Sequence, residues 1–155
     1  MAKGVDQGRV KVAAVPLLAL FGNDPVSPER SRQMSRIRGR DTGPELRLRR
    51  ALWAAGARFR LHVKDLPGRP DIANKSARVA IFVDGCFWHG CPRHFKAPAT
   101  RCGFWVEKTE RNKRRRVQVL RAFPSGWRLH QVFECQLTDA RAAELANDLV
   151  RHRPS

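Results

Sequence analysis

The sequence predicts an α/β domain, a mixed β-sheet flanked by helices, on three observations. Helical and strand patterns follow one another as α, β, β, β, α, β, α. The run Val79-Ala80-Ile81-Phe82-Val83 is apolar without alternation, which suits a central strand covered on both faces. A chain of 155 residues, 42% hydrophobic and 29% charged, holds enough apolar material for one core and is too short for two.

The elements follow in order. Residues 1–30 mix Gly, Pro, Ser and charge without periodicity, so an extension outside the core, expected to be mobile, is assigned there. Thr42-Gly43-Pro44-Glu45 is a capping-box start with Pro in the first turn. The helix it opens carries Leu48, Ala51, Leu52 and Ala55 on one face, and Gly56 stands where a left-handed end belongs. Short strands are expected from Phe59 to Val63, Asp71 to Ala73 and Arg78 to Asp84, with a turn at Pro67-Gly68-Arg69-Pro70. A second helix runs from Phe104 to about Phe123, because that stretch has no breaker and many helix formers. Ser125-Gly126 then leads into a strand from Trp127 to Phe133. Thr138-Asp139 caps a last helix lined by Ala142, Leu145, Ala146 and Leu149.

Charge narrows the partner. Lys plus Arg number 31 against 14 Asp plus Glu, a net +17 that repels itself unless it meets a polyanion. With 24 Arg to 7 Lys, the balance favours planar forks that suit phosphate and guanine edges, although codon bias alone also produces such a ratio. Nucleic acid is the first partner to consider. Val12 to Phe21 is apolar and follows Lys3, Arg9 and Lys11, a faint likeness to a signal peptide. Pro16 interrupts it, no A-x-A pattern follows, and it falls well short of the roughly 20 residues of a membrane span. A soluble, intracellular protein is therefore expected, and in a reducing compartment clustered cysteines hold metal more often than they form disulfides.

Cys86-x4-Cys91-x2-His94 with Cys135 offers three thiolates and an imidazole, a closed tetrahedral set for a structural Zn²⁺. Such an ion would tie the loop after the central strand to the end of the last strand; the alternative is buried, redox-silent cysteines beside an incidental histidine. Cys102 is left as a free thiol. Asp71 at one strand start and Asp84 at the neighbouring strand end would form the hard-oxygen pocket that Mg²⁺ needs, and His89 just beyond could activate water, which implies phosphodiester cleavage. Against this stand a turn role for Asp71 and a packing role for His89. Phe87-Trp88 and Phe104-Trp105 are aromatic pairs that are either core or a wedge for a base step. Met34 and Ile37, apolar among arginines, are groove probes or a helix face on the core. Arg111-Asn112-Lys113-Arg114-Arg115-Arg116 is read as a phosphate-contacting run.

MSRIRGRDTGPE (Met34 to Glu45), HVKDLPGRPDI (His62 to Ile72), IFVDGCFWHGCP (Ile81 to Pro92), FWVEK (Phe104 to Lys108), GWR and FEC together resemble the very short patch repair endonucleases. The resemblance covers about residues 31–137, the endonuclease domain, with 138–155 as a C-terminal helix packed on it. It implies a restriction-endonuclease-like three-layer fold and Mg²⁺-dependent nicking of one strand at T:G mismatches left by deaminated 5-methylcytosine. Position by position, it makes Asp71 the Mg²⁺-binding carboxylate, Val83 a backbone-carbonyl ligand, His89 the water-activating imidazole and Glu45 an acidic active-site residue. Cys86, Cys91, His94 and Cys135 match the structural Zn²⁺ set. Phe87, Trp88 and Trp105 match the aromatic wedge, and Met34 and Ile37 the groove-side probes.

Two positions depart from the family. Many members carry His where this chain has Asp84, and members commonly carry Asp, thought to partner the catalytic histidine, where this chain has Arg116. A cation there cannot accept the imidazole proton, which predicts lowered activity or substitution by Asp84 or Glu110. The leading reading is therefore a mismatch-nicking enzyme. It would act on double-stranded DNA with a T:G mismatch, as a monomer in the cytoplasm near the nucleoid, open to contact with other mismatch-repair proteins and with no membrane partner. The second is a catalytically weakened, zinc-stabilised module that binds distorted DNA without cutting it. A basic structural or RNA-binding protein ranks third, because it leaves the carboxylates and His89 unexplained.

Overall fold

The computed structural model describes residues 27–29, 32, 41–99 and 101–151. Met34, Ile37 and nearly all of the 1–30 extension lie outside the described residues. Helix α1 spans Gly43–Ala54 behind an extended Thr42, whose Oγ1 accepts from Glu45 N at 3.5 Å and donates to Glu45 Oε1 at 3.1 Å. Its end is a Schellman motif: Gly56 N donates to Trp53 O (2.9 Å) and Ala57 N to Leu52 O (3.0 Å), with Gly56 at φ +78°. Glu45, Leu48 and Leu52 are the buried residues. The apolar face is narrower than expected, since Ala51 and Ala55 are exposed. Ala51 lies about a quarter turn from the buried stripe, and Ala55 is already the C-cap.

Four strands, β1 (Arg60–Leu61), β2 (Ile72–Asn74), β3 (Val79–Asp84) and β4 (Arg128–Phe133), form one sheet in the order β1-β2-β3-β4. The first two pairings are antiparallel and β3–β4 is parallel, so the sheet is mixed as expected. Strand β1 is shorter than Phe59 to Val63 because His62 adopts φ +47°, outside the extended region. Helix α2 (Cys102–Arg121) supplies the crossover that a parallel β3–β4 pair requires, and it begins two residues before Phe104. A 3₁₀ turn, Glu134–Gln136, follows β4.

Helix α3 (Asp139–Arg151) buries Ala142, Leu145, Ala146 and Leu149, and Thr138 Oγ1 accepts from Arg141 N at 3.2 Å. These four residues join Leu48 and Leu52 of α1 and Ile72, Val79, Ile81 and Val132 of the sheet in one apolar cluster. On the other face Val63, Ala73 and Ala80 pack under Leu66, Phe123, Trp127 and Leu129, and Arg116 of α2 lies over the Phe82 ring at 4.1 Å. The sheet therefore separates α1 and α3 from α2, and β3 is covered on both sides. Among the described residues no helix is long and apolar enough to cross a membrane.

The loop after β3 is pressed against α2 at Gly90. Its φ is +60°, and a Cβ there would lie 2.4 Å from Thr109 Cγ2 and 2.6 Å from Lys113 Cε. Gly90→Ala is expected to destabilise the fold by about 1–3 kcal/mol, because both the backbone angle and the contact resist a methyl group. Urea unfolding of the two proteins, compared at equal m-value, measures it.

Candidate active site and metal centre

Strand β3 delivers its last residues to the site. Alternation with Phe82 turns Asp84 toward α2, where the carboxylate is fully buried. Arg116 grips it with both Nε (3.3 Å) and Nη2, and Gln131 Nε2 of β4 donates to Oδ2 at 2.6 Å. His89 Nε2 stands 3.5 Å from the other oxygen, Oδ1. The carboxylate beside His89 is thus Asp84, whereas Glu110 is exposed and holds Lys113 at 2.7 Å. Burial holds the His89 imidazole below its usual value, with Arg116 and Arg115 acting the same way and Asp84 opposing them. A neutral ring is favoured at pH 7, and its Nδ1 is buried without a partner among the described residues.

Removing the arginine leaves Asp84 buried and short of a counter-charge. Arg116→Met is expected to destabilise the fold by about 3 kcal/mol, with Arg116→Lys recovering part of the loss. Chemical denaturation reads this directly; a loss under about 1 kcal/mol would mean that Gln131 alone satisfies the carboxylate.

Asp71 occupies the bend before β2, with Oδ2 accepting from Val83 N at 2.8 Å. Burial pushes its carboxyl above the usual range; the Val83 N–H opposes this, Glu45 adds to it, and Arg116 and His62 oppose it. The acidic neighbour felt by Asp71 is therefore Glu45 of α1. Asp84, paired with it in the sequence reading, is instead spent on Arg116 and Gln131. Glu45 is buried, and it serves its helix cap and the Asp71 neighbourhood together.

Sequence reasoning passed over two residues here, His62 and Arg49. His62 Nδ1 lies 3.9 Å from Asp71 Oδ1, and its N donates to Asp71 O at 3.2 Å. Arg49 donates to Glu45 Oε2 (2.9 Å) and Asp41 Oδ1 (2.5 Å) and lies 3.1 Å from His62 Nε2. Asp41, Glu45 and His62 have the spacing of metal ligands, but the Arg49 guanidinium already supplies the positive charge among them. Only the left-handed backbone of His62 marks it out, and no sequence pattern announces that.

Cys86, Cys91, His94 and Cys135 bring one ligand atom each to within 4.8 Å of one another. Sγ of Cys91 is 3.6 Å from that of Cys135 and 3.7 Å from His94 Nδ1, which is 4.0 Å from Cys86 Sγ. A tetrahedral ion with bonds near 2.3 Å needs ligand separations of about 3.8 Å, so the four fit a closed metal site. Burial opposes ionisation of both Cys86 and Cys91. For Cys86 it prevails and pushes the thiol up; for Cys91 the N–H groups of Arg93 and His94 and the His94 imidazole outweigh it and pull the thiol down. Cys86 N donates to Glu134 Oε1 at 2.9 Å, a hydrogen bond that ties the loop to the turn after β4. Cys102 opens α2 as a half-buried free thiol outside this set.

Beside the metal loop, Phe87, Trp88 and Trp105 form a half-buried cluster with ring centroids 5.0–5.8 Å apart, extended by Phe95 and Phe104. Lys108 Nζ lies over Trp88, Trp105 and Phe104 at 5.3–5.5 Å. Asn112 Nδ2 donates to Trp88 O at 2.8 Å and pins the loop to α2.

Comparison with known proteins decides the family. The profile described as DNA mismatch endonuclease Vsr matches residues 24–94. The type II nicking enzyme V.XorIIP of Xanthomonas oryzae pv. oryzae is 45% identical over 125 residues, covering 78% of this chain and 91% of that protein. The DNA mismatch endonuclease Vsr of Escherichia coli is 44% identical over 110 residues, 70% of each chain. The chain belongs to the Vsr family of DNA mismatch endonucleases. A further similar protein, the type II nicking enzyme V.NaeI of Lentzea aerocolonigenes, is 40% identical over 126 residues, 77% of this chain and 76% of its own length. As a Vsr-family endonuclease the protein has DNA as its partner, which gives the +17 charge its counterpart. The stretch matched by the Vsr profile holds Glu45, Asp71, Asp84, His89 and three of the four candidate metal ligands; Cys135 joins them only through the fold.

Proposed function

We propose that this Vsr-family endonuclease nicks one strand of duplex DNA at T:G mismatches, the product of 5-methylcytosine deamination, using Mg²⁺ at Asp71 and a structural Zn²⁺ on Cys86, Cys91, His94 and Cys135. One observation carries the reading: a half-buried carboxylate with raised proton affinity, Asp71, shares the end of the sheet with a neutral-leaning imidazole, His89, next to an aromatic cluster. Carboxylate oxygens confined in this way suit a hard divalent cation that leaves most of its shell to phosphate and water. Held by Asp71 and the Val83 carbonyl, Mg²⁺ would supply charge neutralisation on the scissile phosphate. Three thiolates and an imidazole leave Zn²⁺ no open position, so its contribution would be to hold the loop.

The residues divide the remaining work. His89 takes the proton of the attacking water, and Asp84, kept in place by Arg116 and Gln131, orients the ring. Glu45 sets the negative field around Asp71. Phe87, Trp88 and Trp105 enter the distorted base step, assisted on the groove side by Met34 and Ile37. A three-layer restriction-endonuclease-like core, acting as a monomer, accommodates this division.

The test is single-turnover nicking of matched pairs of duplexes, T:G against T:A, in Mg²⁺ and in EDTA. Mismatch-dependent, Mg²⁺-dependent cutting of one strand is expected; equal cutting of both duplexes would reject the mismatch specificity, and cutting in EDTA would reject the metal. Arg116 favours a second reading, a module that binds distorted DNA without cleaving it, because it neutralises the carboxylate nearest His89. Tight mismatch binding with no nick in Mg²⁺ would select that reading.

A further inference from the structure

A cavity of about 440 Å³ opens between the β1–β2 loop, His89 and the middle of α2. Lys64 and Arg69 come from the loop, and Asn112, Arg115 and Arg116 from the helix. No carboxylate lines it. Arg116 is committed to Asp84, but Lys64, Arg69 and Arg115 make no ion pair with a carboxylate among the described residues. Like charges gathered around a hollow disfavour the free protein and favour an anion.

The walls of this cavity are set before any ligand arrives. Arg69 N donates to Leu66 O at 3.1 Å, closing a turn with Pro67 and Gly68 at its centre, and Gly68 has φ +66°. The turn sits so close to α2 that a Cβ on Gly68 would lie 2.3 Å from Val119 Cγ1. Across the cavity, the Asn112 bond to Trp88 O holds the loop that carries His89. Arginine forks in a fixed cradle match phosphate oxygens, and no aromatic ring other than the His89 imidazole is present to stack a base.

We propose that this cavity seats a non-scissile phosphodiester of the strand being cut, next to the phosphate presented to Asp71 and His89, with Lys64, Arg69 and Arg115 as its cations. The inference rests on the nicking function proposed above. His89 belongs to both places, so a phosphate in the cavity fixes the register of the strand at the imidazole. Arg69 and Arg115 act as positioning residues, and the bond broken lies outside their reach.

A chemical double-mutant cycle tests this. T:G duplexes carrying one uncharged methylphosphonate at successive positions around the nick are bound, by fluorescence anisotropy, to the full-length protein and to the doubly substituted R69Q/R115Q variant. At one position flanking the cut, the neutral linkage is expected to weaken wild-type binding about tenfold and variant binding less than about twofold, with the salt slope of the variant lower by about 1, the share of one phosphate. The single-turnover nicking rate at saturating protein should fall much less than the affinity, because the lost contact serves binding more than chemistry. Equal penalties in both proteins at every position would overturn the pocket, as would a variant that binds like wild type. Position-specific coupling without any nick would support the pocket and overturn the nicking function, so the two failures are distinguishable. Both arginines are exposed, and unchanged thermal unfolding confirms that the variant is folded.

Discussion

Asp71→Asn is expected to lower the nicking rate at saturating DNA by about 10³-fold or more while thermal unfolding stays at or above the wild-type midpoint. The two halves of this result have one cause. The carboxyl of Asp71 is half-buried near Glu45 and pushed above the usual range, so its ionised form is disfavoured in the folded state. A raised folded value means that stability falls as pH rises through it, and near pH 7 the ionised group is a net cost. Asparagine removes that charge yet still offers an oxygen to accept from Val83 N–H. Activity should vanish for the opposite reason, because the amide lacks the charge that a divalent cation requires. Thermal melts in EDTA, alongside single-turnover nicking in Mg²⁺, separate the effects. A variant that nicks within tenfold of wild type would remove Asp71 from the reaction.

The second large effect is expected at the metal cluster. Purified protein should carry one Zn²⁺ per chain, and Cys91→Ala or Cys135→Ala should abolish stoichiometric metal and cost about 5 kcal/mol of stability or more. Three sulfurs and a ring nitrogen packed within 4.8 Å are gathered at an entropic cost that a shared ion would offset. Loss of the ion frees the Cys86-to-His94 loop from the end of β4, and with it the positions of His89, Phe87 and Trp88. Cys102→Ala provides the control: it lies outside the set and should leave metal content unchanged. Metal analysis together with denaturation decides the matter, and a metal-free protein of full stability would refute the centre.

Legibility in the sequence followed the range of the signal. Thr42, Glu45 and Gly56 marked both ends of α1 because caps and left-handed ends depend on neighbours within one turn. The uninterrupted apolar run of β3 announced its central place, since only a strand covered on both faces can carry one. Where a tertiary contact bends the chain, the pattern misled. His62 cut β1 short, and Ala51 looked inward by spacing but faces out, because α3 and the sheet cover only a narrow stripe of α1.

The site divides in the same way. Chemistry carried by residue type was readable: thiolates and an imidazole at ligand spacing, carboxylates at strand ends, aromatics in a basic chain. The pairing of charges was not. Asp84 and Arg116 are 32 residues apart, and Asp84 and Gln131 are 47 apart. No local pattern tells that the arginine at the departing position turns inward onto the aspartate at the other departing position, or that Glu45 becomes the acidic neighbour of Asp71.

Taken alone, the amino-acid order determined the succession of elements and the candidates for metal ligand, acid, base and wedge, because each depends on covalent spacing and side-chain chemistry. Only the tertiary structure decided which carboxylate stands by His89, what holds it there and where the cationic cavity opens. Those outcomes depend on burial, which strengthens one ion pair over another through the exclusion of water, and water is excluded only once distant segments have packed.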